Sequence, residues 1–249
     1  RVPMLVFALL LTAIAAMQVA PATAQTTFDC SAVTEIPQSE CEALVAFYNS
    51  TDGDNWASNT GWLTTGSPCS WQGVTCSSDH VASLYLPSNN LSGDVPTEFG
   101  SLTHMIGLQL SNNQLTSLPA EIGNLTALRE VWLERNQLSS LPSEIGNLTA
   151  LTRLWLFENQ LTSLPAEIGN LTALPNLYIY KNQLTSLPPA IGNLPGLTRI
   201  FLSENQLTSL PAEIGNLPTL ALLELSENQL ASLPPEIGSL DALQELRLD

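Results

Sequence analysis

Aromatic side chains recur at one fixed place in this sequence. Successive occupants of that place are Tyr85, Gln109, Trp132, Trp155, Tyr178, Phe201, Glu224 and Arg247, separated by 23 residues after a first step of 24. Five of the first six are aromatic. Two residues further on, Phe157 and Tyr180 add a second, shorter row. Charged residues border both rows: Glu130, Glu134, Arg135, Arg153, Glu158, Lys181, Arg199 and Glu204. Rings offer broad apolar faces at low conformational cost, and a charged rim adds direction, so this composition points to recognition. Nothing in the sequence assembles a catalytic set. It has no Ser–His–acid grouping, no Gly-rich phosphate loop and no metal-ligand spacing. His80 and His104 stand alone in the sequence and suggest no chemistry. No cofactor and no metal are expected.

The elements that must position these rings follow from the period. Leu151 to Ala173 reads LTRLWLFENQLTSLPAEIGNLTA, and near copies begin at Met105, Leu128, Leu174, Leu197 and Leu220. A first unit, Val81 to His104, has 24 residues, and an eighth begins at Leu243 and runs to Asp249. A unit this short cannot bury its own apolar face, so the copies must stack and share one core. Leu154 and Leu156 are two apart and point inward from a short strand, which turns Trp155 outward. One strand per unit builds a parallel sheet with neighbours about 4.8 Å apart. Trp132, Trp155, Tyr178 and Phe201 then span three strand spacings, about 14 Å.

The remaining letters of the unit read as scaffold. Asn89, Asn113, Asn136, Asn159, Asn182, Asn205 and Asn228 follow the strands. Buried amides must be hydrogen-bonded, so they are expected to form a structural ladder where the chain leaves the sheet. Pro165 sets an extended turn. Ala166 to Leu171 makes a short helical turn with Ile168 and Leu171 inward, and Gly169-Asn170 returns the chain. Glu98, Glu121, Glu144, Glu167, Glu213 and Glu236 read as a solvated acidic edge on the outer side. Asn49, Asn90, Asn124, Asn147 and Asn170 each stand in N-x-S/T. In the repeats, that match is part of the consensus.

Composition narrows the partners. The chain has 249 residues, with 23 acidic against 7 basic, a formal net charge of -16. Nucleic acid and anionic membrane surfaces both need clustered Lys and Arg, so neither is an expected partner. The first 24 residues carry an apolar run, Met4 to Ala16, followed by Ala22-Thr23-Ala24, and read as a secretory signal cleaved after Ala24. No other stretch is apolar enough to span a bilayer. Arg1 is not a start methionine, and the open last unit at Asp249 predicts that the gene continues. Residues 25–80 do not follow the repeat. Ser39-Glu40-Cys41-Glu42 predicts a capping box, with Ser39 as N-cap, opening a helix through about Tyr48. Asp52 and Asp54 read as turn residues. Four cysteines, all before residue 77 and behind an export signal, predict two disulfides rather than a metal site.

Cys69-Ser70-Trp71-Gln72-Gly73-Val74-Thr75-Cys76 resembles the CxWxGVxC motif of the N-terminal capping domain of secreted, plant-type leucine-rich repeat proteins. Trp56 and Trp62 fit the same pattern. The LSGDVP of the first unit resembles the plant-specific repeat class. The later LPxEIGNL half resembles plant Ras-group-related and disease-resistance-like repeats. The resemblance implies a Cys69–Cys76 disulfide, leaving Cys30–Cys41 as the second pair.

The fold implied is an α/β, right-handed leucine-rich repeat solenoid. It has a concave parallel sheet, an irregular or short-helical convex side and a small disulfide-stapled helical cap. The expected organisation is a signal peptide at 1–24, the cap at 25–80, and repeats at 81–249, seven full units and a truncated eighth. The function expected is a non-enzymatic, secreted or cell-surface module that binds a protein or peptide on its concave face. A carbohydrate ligand stays open, because sugars also stack on rings. The binding residues expected are Tyr85, Glu130, Trp132, Arg135, Arg153, Trp155, Phe157, Glu158, Tyr178, Tyr180, Lys181, Arg199 and Phe201. The alternatives are the ectodomain of a larger receptor or adhesin, or an inhibitor of a secreted hydrolase.

Overall fold

A computed structural model describes residues 28–249 of the chain. The expected signal peptide lies outside the described residues. Eight parallel strands, one per unit, run through the array: β2 (His80–Tyr85), β4 (Gly107–Gln109), β6 (Glu130–Trp132), β7 (Arg153–Trp155), β8 (Asn176–Tyr178), β9 (Arg199–Phe201), β10 (Leu222–Glu224) and β11 (Glu245–Arg247). A ninth strand, β1 (Val74–Ser77), pairs antiparallel with β2 and closes the N-terminal edge. The strands are three residues long beyond β2 because each unit leaves the sheet at its Asn.

The core is a stack of equivalent apolar residues. In the unit from Leu151, the side chains of Leu151, Leu154, Leu156, Leu161, Leu164, Ile168 and Leu171 are all buried. Each gains about 1.5–3 kcal/mol of transfer free energy, and much of the cover comes from neighbouring units. On the outer side each unit makes a single 3-10 turn, such as Ala166–Asn170. The glycine of that turn does more than return the chain, as the sequence had implied. A Cβ on Gly169 would lie 2.3 Å from the Ala190 carbonyl oxygen of the next unit. The glycine is there because adjacent turns approach backbone to backbone.

Asn159 shows how units are tied. Its Nδ2 donates to the carbonyl oxygens of Leu133 in the preceding unit and Leu156 in its own, at 3.0 and 3.1 Å. Its Oδ1 accepts from Leu138 N–H at 3.0 Å. Asn136, Asn182 and Asn205 repeat the arrangement. Asn89 turns the same groups on the cap instead, bonding both N–H and C=O of Ser58.

The cap is one helix and a loop. Helix α1 (Gln38–Ser50) buries Ala43, Leu44, Phe47 and Tyr48. Phe47 packs on Phe99 at 5.2 Å, which explains why Phe99 alone among the array aromatics leaves the sheet face. Trp56, Trp62 and Trp71 form a continuous cluster with Tyr48. Disulfides join Cys30 to Cys41 and Cys69 to Cys76. Two sequence expectations need correction here, and one element was missed. The helix begins one residue before Ser39, behind Pro37, without a side-chain cap, so the Ser39–Glu42 capping box does not form. Pro37 pre-sets the entry, Gln38 bonds Glu42, and Glu40 is buried elsewhere. His80 and His104 are not isolated: their rings stack 3.5 Å apart. A second, two-stranded sheet, β3 (Ser92–Asp94) with β5 (Gln114–Ser117), was not foreseen. Its signal was the LSGDVP variant, whose Asp94 accepts from Thr116 and Ser117 hydroxyls.

Two substitutions test this packing. Gly169→Ala should lower the stability of the units from 151 to 196 by more than its helix propensity would add. Asn159→Ala leaves the buried Leu138 N–H unpaired and removes one of the two amide donors from each of the Leu133 and Leu156 carbonyls, and should cost about 2 kcal/mol. Hydrogen exchange resolved by unit checks both, with the loss centred on the substituted unit and its neighbours.

Candidate functional site

The concave face is built from three residue columns in strict register. Glu130, Arg153, Asn176, Arg199 and Leu222 form the first, and Trp132, Trp155, Tyr178, Phe201 and Glu224 the second. The third, just past the strands, holds Ser111, Glu134, Phe157, Tyr180 and Ser203. Parallel pairing puts equivalent residues side by side, so rings recurring at a 23-residue spacing must meet.

They do meet. Trp132 stacks on Trp155 with centroids 5.0 Å apart and planes at 10°. Trp155 meets Tyr178 edge-on at 5.8 Å, and Tyr178 stacks on Phe201 at 4.8 Å and 6°. In the third column Phe157 stacks on Tyr180 at 4.5 Å, and Trp155 links the two rows at 6.2 Å. Each such pair stabilises the sheet by about 0.5–1.5 kcal/mol. The rings shield one another's faces and are half-buried. Tyr85 stands apart and is 55% exposed. Gln109 and Gly107 separate it from Trp132, leaving a hollow of about 220 Å³ lined by Tyr85, Leu108, Glu130 and Trp132. This hollow was missed in the sequence. Its signal was the coincidence of the smallest residue and the only non-aromatic one of the first six in the same strand.

The basic residues around the rings are mostly committed to carboxylates of neighbouring units. Arg153 pairs with Glu130. Arg135 pairs with Glu158 at 3.1 Å, and Lys181 with Glu204 at 3.5 Å. Such exposed pairs contribute little to stability. Glu158 raises the Arg135 pKa further through its hydrogen bond and charge. Arg135, Glu158 and Lys181 occupy the left-handed backbone position before each Asn, with φ near 55°. Arg199 has no ion-pair partner among the described residues. It lies in register with Asn176 and Leu222, neither of which carries a charge.

Glu134 is the exception on this face. It is 8% exposed, and one carboxylate oxygen is buried without a hydrogen bond. Burial raises its pKa, while its own backbone N–H, the Arg135 charge and the Ser111 hydroxyl pull the other way. The Trp132 indole N–H is likewise buried and unpaired. Burial also raises the Tyr180 hydroxyl, with Glu158 adding to the shift. Trp132 and Glu134 thus place an unmatched donor and acceptor at one end of the stacked rings.

These features match known proteins. Residues 83–186 match the family described as leucine-rich repeat region, and 172–230 the family leucine rich repeat, together more than half of the chain. Residues 37–77 match the leucine rich repeat N-terminal domain. The Arabidopsis thaliana leucine-rich repeat receptor protein kinase EMS1 is 36% identical over 84 residues, which is 34% of this chain and 7% of that protein. The PEPR1–AtPEP1 crystal structure covers 86% of this chain and 31% of its own, with a TM-score of 0.75 and 29% identity. A leucine-rich repeat protein of Leptospira interrogans is 38% identical, with a TM-score of 0.54, over 68% of this chain and 48% of its own. The plant peptide hormone receptor RGFR1 in complex with RGF2 is 36% identical, TM-score 0.54, over 67% of this chain and 32% of its own. The chain spans a tenth or less of the curated relatives it matches.

The Glu134 carboxyl gives a pH test. Its folded pKa lies above its unfolded value near 4.5. The folded state therefore holds the proton more tightly, and stability is lost as pH rises through the folded pKa. Glu134→Gln should melt at a higher temperature than the parent at neutral pH, with the difference closing as pH falls toward 4.5. Melts across that range check it.

Proposed function

Because this chain belongs to the leucine-rich repeat family, with an LRR N-terminal domain ahead of its repeats, we propose that it is a non-enzymatic extracellular binding module. It holds a protein or peptide across the aromatic column of its concave sheet. The observation that carries this reading is the unbroken run of rings from Trp132 to Phe201, in register and linked ring to ring. Stacking pre-organises the rings, so little side-chain entropy is lost when a ligand covers them. Four strands' width is about 14 Å, the length of about four residues of extended chain. A peptide crossing the strands therefore meets one ring with almost every residue. The binding residues are Trp132, Trp155, Tyr178 and Phe201, with Phe157 and Tyr180 beside them. Glu130, Arg135, Arg153, Glu158, Lys181 and Arg199 form the polar rim, and Tyr85 closes the hollow at the N-terminal end.

A peptide or protein ligand is supported by the plant peptide hormone receptor RGFR1, whose structure is a complex with RGF2. Arg199 and the buried Glu134 supply unmatched charges of opposite sign about three strand spacings apart, which favours a partner carrying both signs. Two disulfides fit an oxidising, extracellular compartment. Among the described residues no helix is long and apolar enough to cross a membrane. A second reading makes the same face the ectodomain of a larger receptor. The curated relatives favour it, being receptor kinases far longer than this chain.

Selection of peptides from a displayed library against the parent chain, followed by titration of the winners, tests the proposal. Trp155→Ala and Trp132→Ala should each weaken binding by about 2 kcal/mol, roughly thirtyfold, as central aromatic anchors do. The melt should move only by the amount expected of one or two lost ring pairs. Equal affinity in both variants would place the ligand elsewhere.

A further inference from the structure

The cluster that joins the cap to the first repeat has chemistry the concave face does not use. We propose that Glu40, His80 and His104 form a binding site for one divalent transition-metal ion of the zinc class. The three residues come from three separate elements: the first turn of α1, the first residue of β2, and the turn before Met105. One ligand atom from each lies within 4.8 Å of the other two. Both imidazoles address the same carboxylate oxygen. His80 Nδ1 is 2.6 Å from Glu40 Oε1, and His104 Nδ1 is 3.8 Å from it.

The carboxylate is fixed and buried. Glu40 is 2% exposed, and its other oxygen, Oε2, accepts from Val81 N–H at 2.7 Å. That bond orients a ligand from the second shell of contacts, as built metal sites do. A buried carboxylate with one imidazole partner would explain His80 alone. It does not explain His104, whose side chain is 57% exposed. Its ring nevertheless lies 3.5 Å over His80, and its one other polar contact among the described residues is the neighbouring Thr103 hydroxyl at 3.4 Å.

The dimensions suit a small ion. Zinc sits about 2.0–2.1 Å from nitrogen and oxygen ligands, so the edges of its tetrahedron are about 3.3 Å. The two N···O separations, 2.6 and 3.8 Å, bracket that edge. The rings are nearly parallel, at 18°, so their lone pairs run side by side. Turning the exposed His104 ring brings its Nδ1 onto the ion that parts His80 from Glu40. Two imidazoles and one carboxylate favour zinc, nickel or copper. Calcium and magnesium need six or more oxygens. Three protein ligands leave a fourth position for water. The bound ion would clamp α1 to β2 and to the first inter-repeat turn, holding the cap on the array.

Calorimetric titration of the full disulfide-bonded chain with zinc chloride tests the site, with magnesium chloride as the control. The parent should bind one zinc per chain at about pH 7.5. His104→Ala should weaken binding roughly tenfold or more. At the same zinc concentration, the melting temperature of the parent should rise more than that of His104→Ala. Because His104 is exposed, that variant keeps its fold, which its zinc-free melt verifies. Absence of a stoichiometric site in the parent, equal zinc affinity in His104→Ala, or magnesium binding as tightly as zinc would each overturn the proposal.

Discussion

The side-chain amide that closes each unit onto its neighbour is the interaction on which the rest of this structure depends. A strand of three residues makes few ladder bonds, and the chain then turns away, stranding backbone groups in the core. Asn159 bonds a carbonyl and an N–H of the preceding unit and a carbonyl of its own. An unpaired group there would cost about 1–3 kcal/mol. A residue with both donor and acceptor at that reach is therefore needed once per unit, and it locks adjacent units at one offset. The fixed offset gives the sheet its register, and the register turns a 23-residue spacing of rings into a stack. The ring column of the concave face thus inherits its geometry from the buried amides.

The same logic explains how the array begins. A terminal unit has no neighbour to satisfy its amide or cover its leucines. Asn89 solves the first problem by bonding Ser58 of the cap loop, and Phe99 the second by receiving Phe47. The cap is small, and its tryptophans each anchor an indole N–H on a backbone carbonyl: Trp56 on Thr51, Trp62 on Gln72 and Trp71 on Thr65. Its two disulfides add constraint where apolar area is scarce. At the outer turns, glycines such as Gly169 let units approach closely enough for the inner leucines to touch.

Much of this was legible because repetition makes the sequence its own control. Positions that keep one chemical character in every unit, such as Leu154, Leu156 and Asn159, had to be scaffold. Positions that do vary had to face out, which picked out the ring column. What was hidden depended on contacts between units at unlike positions. Gly169 read as a turn residue, yet its reason is the Ala190 backbone one unit on. His80 and His104 read as solitary because they are 24 residues apart in a unit of 24, and only stacking brings them together. Ser39 read as a helix cap because its local pattern was right, but Pro37 set the entry first. The ion pairs across the face also escaped notice, since each joins units at positions whose charge alternates irregularly.

The proposed ligand contact falls on Trp132 and Trp155 and not on the other three of the five tryptophans in the chain. Their indole N–H resonances make the test direct, since Trp56, Trp62 and Trp71 are each tied to backbone in the cap. On titration with a selected peptide, the Trp132 and Trp155 signals should shift together and saturably while the cap signals stay in place. Movement of the cap signals with Trp132 and Trp155 unchanged would contradict it.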